Sequence, residues 1–420
     1  MILISVKWIF FSASKVLKEE IRNSIITLLS FGRREKNEKL LYTCDNCIVM
    51  RSKIIVTIVA AMLLFSVASG AVLAKEGGSL INELTEIDSF HPPDINDPRI
   101  LMYNEWHYFN VVDEEQNLSV VTALRLTGNI SDPWNSSAIV MLGYSTPGGI
   151  NITGDFYPIT QAQYSNETPD LQISNSTVTL TEEGYHVHVE SANDQTVFDA
   201  RFKPATGPAP VFTITYDPYQ TINWLVASPK MKVTGNLTIN KGMPEERTYT
   251  LKNTRGYHDH NWGFWRWDDV GWVWGQMTET KNHLEGQDLG KYTLCFGNVT
   301  NNDHTESRGA VLNIMKNKKI IGTFKNDEIQ IQHCNMTAPI PQLPNNSFPW
   351  DTVITADSGE TGENSMRITF NTEHFAPIPI PIGVDKYLVI WELTGTYNVS
   401  GYIDGKPVSY TSKGFLEYVA

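Results

Sequence analysis

The 420-residue chain is poor in cysteine, with four, and poor in basic residues, with 33 Lys and Arg against 46 Asp and Glu. So few cysteines in so long a chain exclude a small scaffold stapled by a dense disulfide framework. The shortage of positive charge lies beyond residue 74, where 23 Lys and Arg face 41 Asp and Glu for a net charge of −18. A body that acidic repels phosphate backbones and anionic membrane surfaces, which argues against nucleic acid as a partner. Helical periodicity is also nearly absent from Asn104 onward. The 41% hydrophobic content still provides apolar surface for a large core, so a disordered or collagen-like chain does not fit.

Long apolar runs are missing too, save one near the N-terminus. Arg51 and Lys53 precede the apolar run from Ile54 to Val67, and small residues follow through Ser69, Gly70 and Ala71 to Ala74. This is the charged, apolar and small-residue order of a secretory signal. Met50 stands directly before it, so residues 50–74 read as the signal and residues 1–49 as an extension from a misassigned start. The alternative is an uncleaved membrane anchor through residues 54–74, a stretch about long enough to cross a bilayer. Either way the remainder is expected to be extracytoplasmic, secreted or anchored, and Asn-X-Ser/Thr sequons from Asn117 to Asn398 agree with a glycoprotein. Cys295 and Cys334 are the two cysteines left in that oxidising compartment, where a disulfide between them is expected. Cys44 and Cys47 form a lone CxxC that no second pair or histidine set completes.

What the chain has instead is alternation. Residues 117–127, 137–144, 185–190, 211–216, 246–252, 310–316, 327–332, 366–371 and 387–396 are short runs rich in Val, Ile, Thr and aromatics, separated by Gly, Pro, Asn and Asp. An all-β protein follows, and strands without covering helices must close or stack their sheets to remove open edges. About 340 such residues exceed one typical barrel, so two units are expected.

The most informative stretch is residues 256–276, GYHDHNWGFWRWDDVGWVWGQ, which holds five of the eleven tryptophans beside His258, Asp259, His260 and Asp268. On a strand over 256–262, Tyr257, Asp259 and Asn261 share one face while His258, His260 and Trp262 share the other. Gly263 would then open a turn, and Trp272, Trp274 and Gln276 would line one face of the next strand. Buried tryptophans need partners for their N–H, and a His/Asp/Asn set among them is costly to bury unless it is satisfied or functional. The set is therefore either a polar network locking two units together or a reactive site.

GYHDHNWG with the following Trp272-Val273-Trp274-Gly275-Gln276 resembles the signature of the carotenoid 1,2-hydratase (hydroxyneurosporene synthase) and AttH-like family. Glu105-Trp106-His107-Tyr108-Phe109 is similar to that family's opening EWWYF, with His107 replacing the second Trp. The C-terminal GYIDGKPVSYTSKGFLEYV, with Gly414 and Glu417, is similar to its closing strands. The similarity spans roughly residues 100–418. It implies two lipocalin-like antiparallel β-barrels in tandem, drawn here as residues 85–265 and 266–420. It also implies hydration or cyclisation of isoprenoid or polyene substrates without a cofactor.

Three other chemistries compete with this one. His186 and His188, like His258 and His260, are HxH pairs, but neither has the Glu spacing and distant third His of a cupin-like metal site, so hydrogen-bonding histidines and no metal are expected. Gly143-Tyr144-Ser145-Thr146-Pro147 lacks the second Gly of a nucleophile elbow. A glycan-binding protein or glycosidase remains an alternative, since Trp-rich faces stack sugars and Asp268, Asp269, Glu279 and Glu285 offer carboxylates.

The reading is thus a protein enclosing an apolar isoprenoid or lipid ligand, either a hydratase or cyclase or a non-catalytic carrier. Trp106, Trp262, Trp265, Trp267, Trp272 and Trp274 are the expected ligand contacts. If the protein is an enzyme, Asp259 is the candidate acid, supported by His260 and Tyr257, with His258 and Asp268 in reserve.

Overall fold

Alternating apolar residues make almost every stretch after Tyr103 a strand, and the strands form two antiparallel sheets. The structure, a computed structural model, describes residues 80–419 apart from 193–194, 216, 280–290, 318, 339–345, 360–363 and 384–385. The expected extension, signal or anchor and the CxxC fall outside the described residues, as does Glu285. No helix among the described residues is long and apolar enough to cross a membrane.

The first sheet contains β1 (Tyr103–Asp113), β2 (Leu118–Gly128), β3 (Ser136–Thr146), β4 (Gly149–Tyr157), β5 (Ala162–Tyr164), β6 (Leu171–Ile173) and β7 (Ser176–Thr181). It continues with β8 (Gly184–Ser191), β9 (Thr196–Pro204), β10 (Phe212–Thr215), β11 (Thr221–Ile239) and β12 (Arg247–Phe264). Their order is β4-β3-β2-β1-β12-β11-β9-β8-β7-β6-β5, with β10 on β11, and β3 packs back on β6 and β8. The second sheet contains β13 (Gly271–Thr278), β14 (Tyr292–Thr300), β15 (Ser307–Lys316), β16 (Lys319–Lys325) and β17 (Ile329–Met336). To these it adds β18 (Pro349–Asp357), β19 (Ser365–Gly383), β20 (Lys386–Ile403) and β21 (Lys406–Val419). The order β16-β15-β14-β13-β21-β20-β19-β18-β17 curls until β15 meets β17. Both sheets are lipocalin-like and lie in one compact unit.

Each sheet wraps its own core, and a third apolar cluster fills the seam between them. Phe109, Val111, Leu124, Tyr185, Phe198 and Phe202 pack inside the first sheet. Trp391, Leu393, Phe370 and Tyr397 pack inside the second. Tyr108, Trp224, Tyr257, Trp265, Trp272, Trp274 and Phe415 occupy the seam. Strands with one face in a core and the other in the seam are buried on both sides, so all eight residues of β13 are enclosed. Burying a large aromatic contributes ~1.5–3 kcal/mol, so the seam itself is a substantial source of cohesion.

A short amphipathic helix, α1 (Leu80–Ile87), precedes the strands and, with Phe90 just beyond it, sets Leu84 into the first core. Gly263 continues β12 instead of opening a turn; its φ of 147° suits glycine, and a Cβ there would lie 2.0 Å from the Thr221 carbonyl oxygen. The turn comes later, between Phe264 and Gly271.

The expected disulfide is also corrected, because Cys295 and Cys334 are both free thiols. Cys295 on β14 is buried in the seam, whereas Cys334 is half-buried on β17, beyond β15 where the curled sheet closes. Burial, with the Asp259 carboxyl nearby, pushes the Cys295 thiol up to about 12. A thiol reagent at pH 8 is expected to modify Cys334 on the folded protein and Cys295 only after unfolding. Mass mapping of the labelled peptides reads this directly, and two unreactive cysteines that become labelled only after reduction would restore the disulfide.

Candidate active site between the two sheets

The two faces of β12 lead to two different places. Its odd-numbered residues Tyr257, Asp259 and Asn261 face the seam, and its even-numbered His258, His260 and Trp262 face the interior of the first sheet. The expected strand alternation is therefore present.

On the seam face, Asp259 is only 2% exposed yet lines a cleft. Oδ2 accepts hydrogen bonds from Trp224 Nε1 and Tyr257 Oη, both at 2.9 Å, and Oδ1 accepts one from Asn261 Nδ2 at 3.0 Å. Trp274 Nε1 in turn donates to Tyr257 Oη at 3.3 Å. The Trp224 ring has room because Gly297 faces it; a Cβ there would approach the ring to 3.0 Å. Burial raises the Asp259 carboxyl to about 7, even though the Trp224 and Tyr257 donors favour its charged form. Burial also holds Tyr257 well above the usual phenol range, so it remains a donor.

Two cavities in the seam share part of their lining. An inner cavity of about 60 Å³ is lined by Asp259, Trp224, Trp265, Trp272 and Trp274. An outer cavity of about 280 Å³ is lined by Arg125, Ile139, Trp267, Ile380 and Ile390. Trp106, Tyr108, Trp272 and Glu417 line both. Glu417 and Glu392 meet on the wall contributed by the second sheet. Burial and mutual repulsion raise Glu392 well above the carboxylate range, and burial raises Glu417, whose Oε1 accepts from Trp272 Nε1. Such a pair retains a proton near neutral pH.

On the interior face, four chain segments converge on a closed ionic network. His260 lies between Asp88, with Nδ1 3.1 Å from Oδ1, and Glu105, with Nε2 2.7 Å from Oε1. Asp88 also receives His258 Nε2 at 2.8 Å and Tyr185 Oη at 2.6 Å. Glu105 receives Tyr103 Oη, the His91 backbone N–H and His91 Nδ1. Burial opposes charge on His260, but hydrogen bonds to the two carboxylates outweigh it and raise the imidazole to about 9. The same histidines hold Asp88 well below the carboxylate range against the cost of its burial. Asp88, His107 and His260 have ligand-type atoms within 4.8 Å of one another, as do His91, Glu105 and His260. Each carboxylate in these groups already bridges to an imidazole, so the cluster acts as an ion-paired lock between α1, β1, β8 and β12.

The expected site residues therefore divide. Asp259, Tyr257, Trp106, Trp265, Trp272 and Trp274 come together in the seam, with Trp267 at the outer cavity. His260 does not join them, because strand alternation sends it to the opposite face. Trp262 is on that face too, with its ring stacked on His91 at 4.0 Å. His258 binds Asp88, and Asp268 lies in the turn near Arg266, so neither reserve reaches Asp259. Asp269 pairs with Arg266, and Glu279 accepts the Lys291 and Tyr292 backbone N–H groups. His186 and His188 are bound by Asp199, as expected of hydrogen-bonding histidines. Sequence reasoning missed Trp224, Glu392 and Arg125 in the cleft, and Asp88 in the lock.

No family model matches the sequence, and no curated protein matches it either. Among solved structures, an AttH candidate from Nitrosomonas europaea superposes with a TM-score of 0.55 at 13% identity, covering 76% of this chain and 92% of that one. Kievitone hydratase from Nectria haematococca gives 0.50 at 14% identity, covering 79% and 93%. CghA gives 0.51 at 9% identity, covering 76% and 88%. The chain has the lipocalin-like fold of these AttH-like, hydratase and CghA structures, as the GYHDHNWG motif led one to expect.

Proposed function

We propose that this protein is a cofactor-independent hydratase or cyclase that protonates an alkene of an isoprenoid or polyene held in the seam cleft, with Asp259 as the acid. The observation that carries this reading is a carboxyl group raised to about 7 inside an aromatic wall. Protonating an unactivated alkene requires a carboxylic acid that is still neutral near pH 7, and desolvation provides one. The acid gives its proton to one alkene carbon, leaving a tertiary cation on the other and a carboxylate on Asp259. Faces of Trp265, Trp272 and Trp274 stabilise the cation, at ~2 kcal/mol or more where water is excluded. In hydration, a water oxygen adds to the cation and its surplus proton returns to a carboxylate, either Asp259 or the unprotonated member of the Glu392–Glu417 pair. In cyclisation an internal alkene adds instead, and a neighbouring C–H proton leaves to Asp259. Return of the proton to Asp259 restores the starting acid directly, and a proton taken by the glutamate pair must pass on to Asp259 before the next turnover.

The enclosed tryptophans support an apolar ligand over a sugar, since saccharide ladders present their rings to solvent. Geranylgeraniol and a soluble polyene are expected to quench tryptophan emission at micromolar concentration. Incubation in D2O is expected to place one deuterium on carbon per product molecule. A response to oligosaccharides alone would move the assignment to glycan binding, and binding without deuterium incorporation would leave a carrier.

A further inference from the structure

Arg125 is a cation in a place built from apolar parts. On β2, Leu124 and Leu126 enter the first core, and alternation turns Ala123 and Arg125 outward to the cleft. Arg125 is the cross-strand partner of Trp106 on one side and Ile139 on the other. Its guanidinium carbon lies 4.5 Å from the Trp267 ring centroid and 5.6 Å from that of Trp106. Nη2 donates to Asn104 Oδ1, while Nε is enclosed with no hydrogen-bond partner among the described residues. No carboxylate of the described residues forms an ion pair with it. Glu392 and Glu417, the acidic groups lining the same cavity, bond to each other and hold a proton, which removes most of their value as counterions.

An unpaired guanidinium against two indoles is costly unless an anion completes it. Its planar fork matches a carboxylate oxygen pair, and the indole faces hold the fork in position. We propose that Arg125 binds the head of the ligand, and that this head is a singly charged carboxylate or an equivalent enolate, so that the natural substrate class is acidic isoprenoids or polyenes. A diphosphate head would carry more charge than one arginine offsets, and the Glu392–Glu417 pair in the same cavity adds no cation. Arg125 lines one cavity and Asp259 the other, with Trp106 and Trp272 lining both, and this placement fixes direction. The head lies in the outer cavity, and the alkene that receives the proton is at the far end of the chain. This inference rests on the proposed apolar cleft and adds to it a polarity and an orientation.

Farnesoic acid, farnesol and farnesyl diphosphate are the probes, titrated by tryptophan quenching at pH 7 against the wild-type protein, Arg125→Met and Arg125→Lys. The wild type is expected to bind farnesoic acid at least 10-fold more tightly than either other probe. Arg125→Met is expected to weaken farnesoic acid at least 10-fold while changing farnesol by less than twofold, and Arg125→Lys should retain part of the preference. Equal binding of acid and alcohol by the wild type overturns the head-group assignment alone. So does an equal loss of both in Arg125→Met, which makes Arg125 only a wall, and so does preference for the diphosphate. If Arg125→Met does not fold, the wild-type ratio and Arg125→Lys decide. Failure of all three probes to bind overturns the apolar cleft itself, and the proposed function with it.

Discussion

Asp259→Asn is expected to lower turnover of a prenyl or polyene substrate by about 10²–10⁴-fold, the usual contribution of a positioned acid, without unfolding the protein. The amide keeps the shape of the carboxyl. Its oxygen can accept from Trp224 and Tyr257, and its nitrogen can donate to Asn261 if that side chain turns its amide over. Only the transferable proton is lost. Because the acid must be protonated, wild-type activity is expected to fall as pH rises through about 7.

Stability should carry the matching signature. The folded pKa of about 7 lies above the ordinary 3.8, so the folded state holds this proton more tightly than the unfolded chain does. The resulting stabilisation is complete below about 3.8 and is lost as pH rises through about 7. By linkage it amounts to roughly 2–4 kcal/mol between those limits. Asp259→Asn removes that dependence, so the variant should melt above the wild type at pH 8, with the advantage shrinking toward pH 4. Melting curves across this range, with turnover per folded molecule, test both parts. Intact turnover with a large fall in Tm would reduce Asp259 to a structural polar group.

The parts of this site that were legible in the sequence are those within one strand. Alternation over 256–262 separates Tyr257 and Asp259 from His258 and His260, and alternation over 272–276 aligns Trp272, Trp274 and Gln276; these pairings follow from backbone geometry alone. Alternation does not reveal what covers each face. Every residue of β13 is buried, so its pattern cannot distinguish a barrel interior from a seam, and the aromatic cleft lies between the sheets. Trp224, Glu392 and Arg125 lie on separate strands with no motif around them, and only tertiary pairing brings them to Asp259. Asp88 is less visible still. It follows an eight-residue helix, too short to show a periodicity, and its partners are residues 97 to 172 positions further along the chain. Cys295 and Cys334 illustrate the converse, because compartment and parity suggested a pair that the structure leaves as two free thiols.

The ionic lock makes the largest stability prediction. Asp88→Asn is expected to cost ~3–5 kcal/mol, since it leaves His260 charged in a closed interior with one counterion instead of two. That corresponds to a fall in Tm of roughly 5–15 °C. The wild type should itself lose part of this contribution in alkali. His260 has a folded pKa of about 9 against an ordinary 6.5, so its stabilisation is complete below about 6.5 and declines as pH rises through about 9. His107 provides the contrast. It is buried beside the lock, its ring centroid 4.3 Å from that of His260 with the two planes tilted, but neither ring nitrogen has a hydrogen-bond partner among the described residues, and burial keeps it neutral. His107→Phe replaces an unsatisfied polar ring by an apolar one of similar shape and is expected to be neutral or stabilising. Chemical denaturation of the two variants at pH 7, followed by turnover of the folded fraction, separates lock from active site. Asp88→Asn should lose stability and keep turnover per folded molecule. The opposite result would move the reactive acid to the interior face of β12, with Asp88, His258 and His260 as its groups.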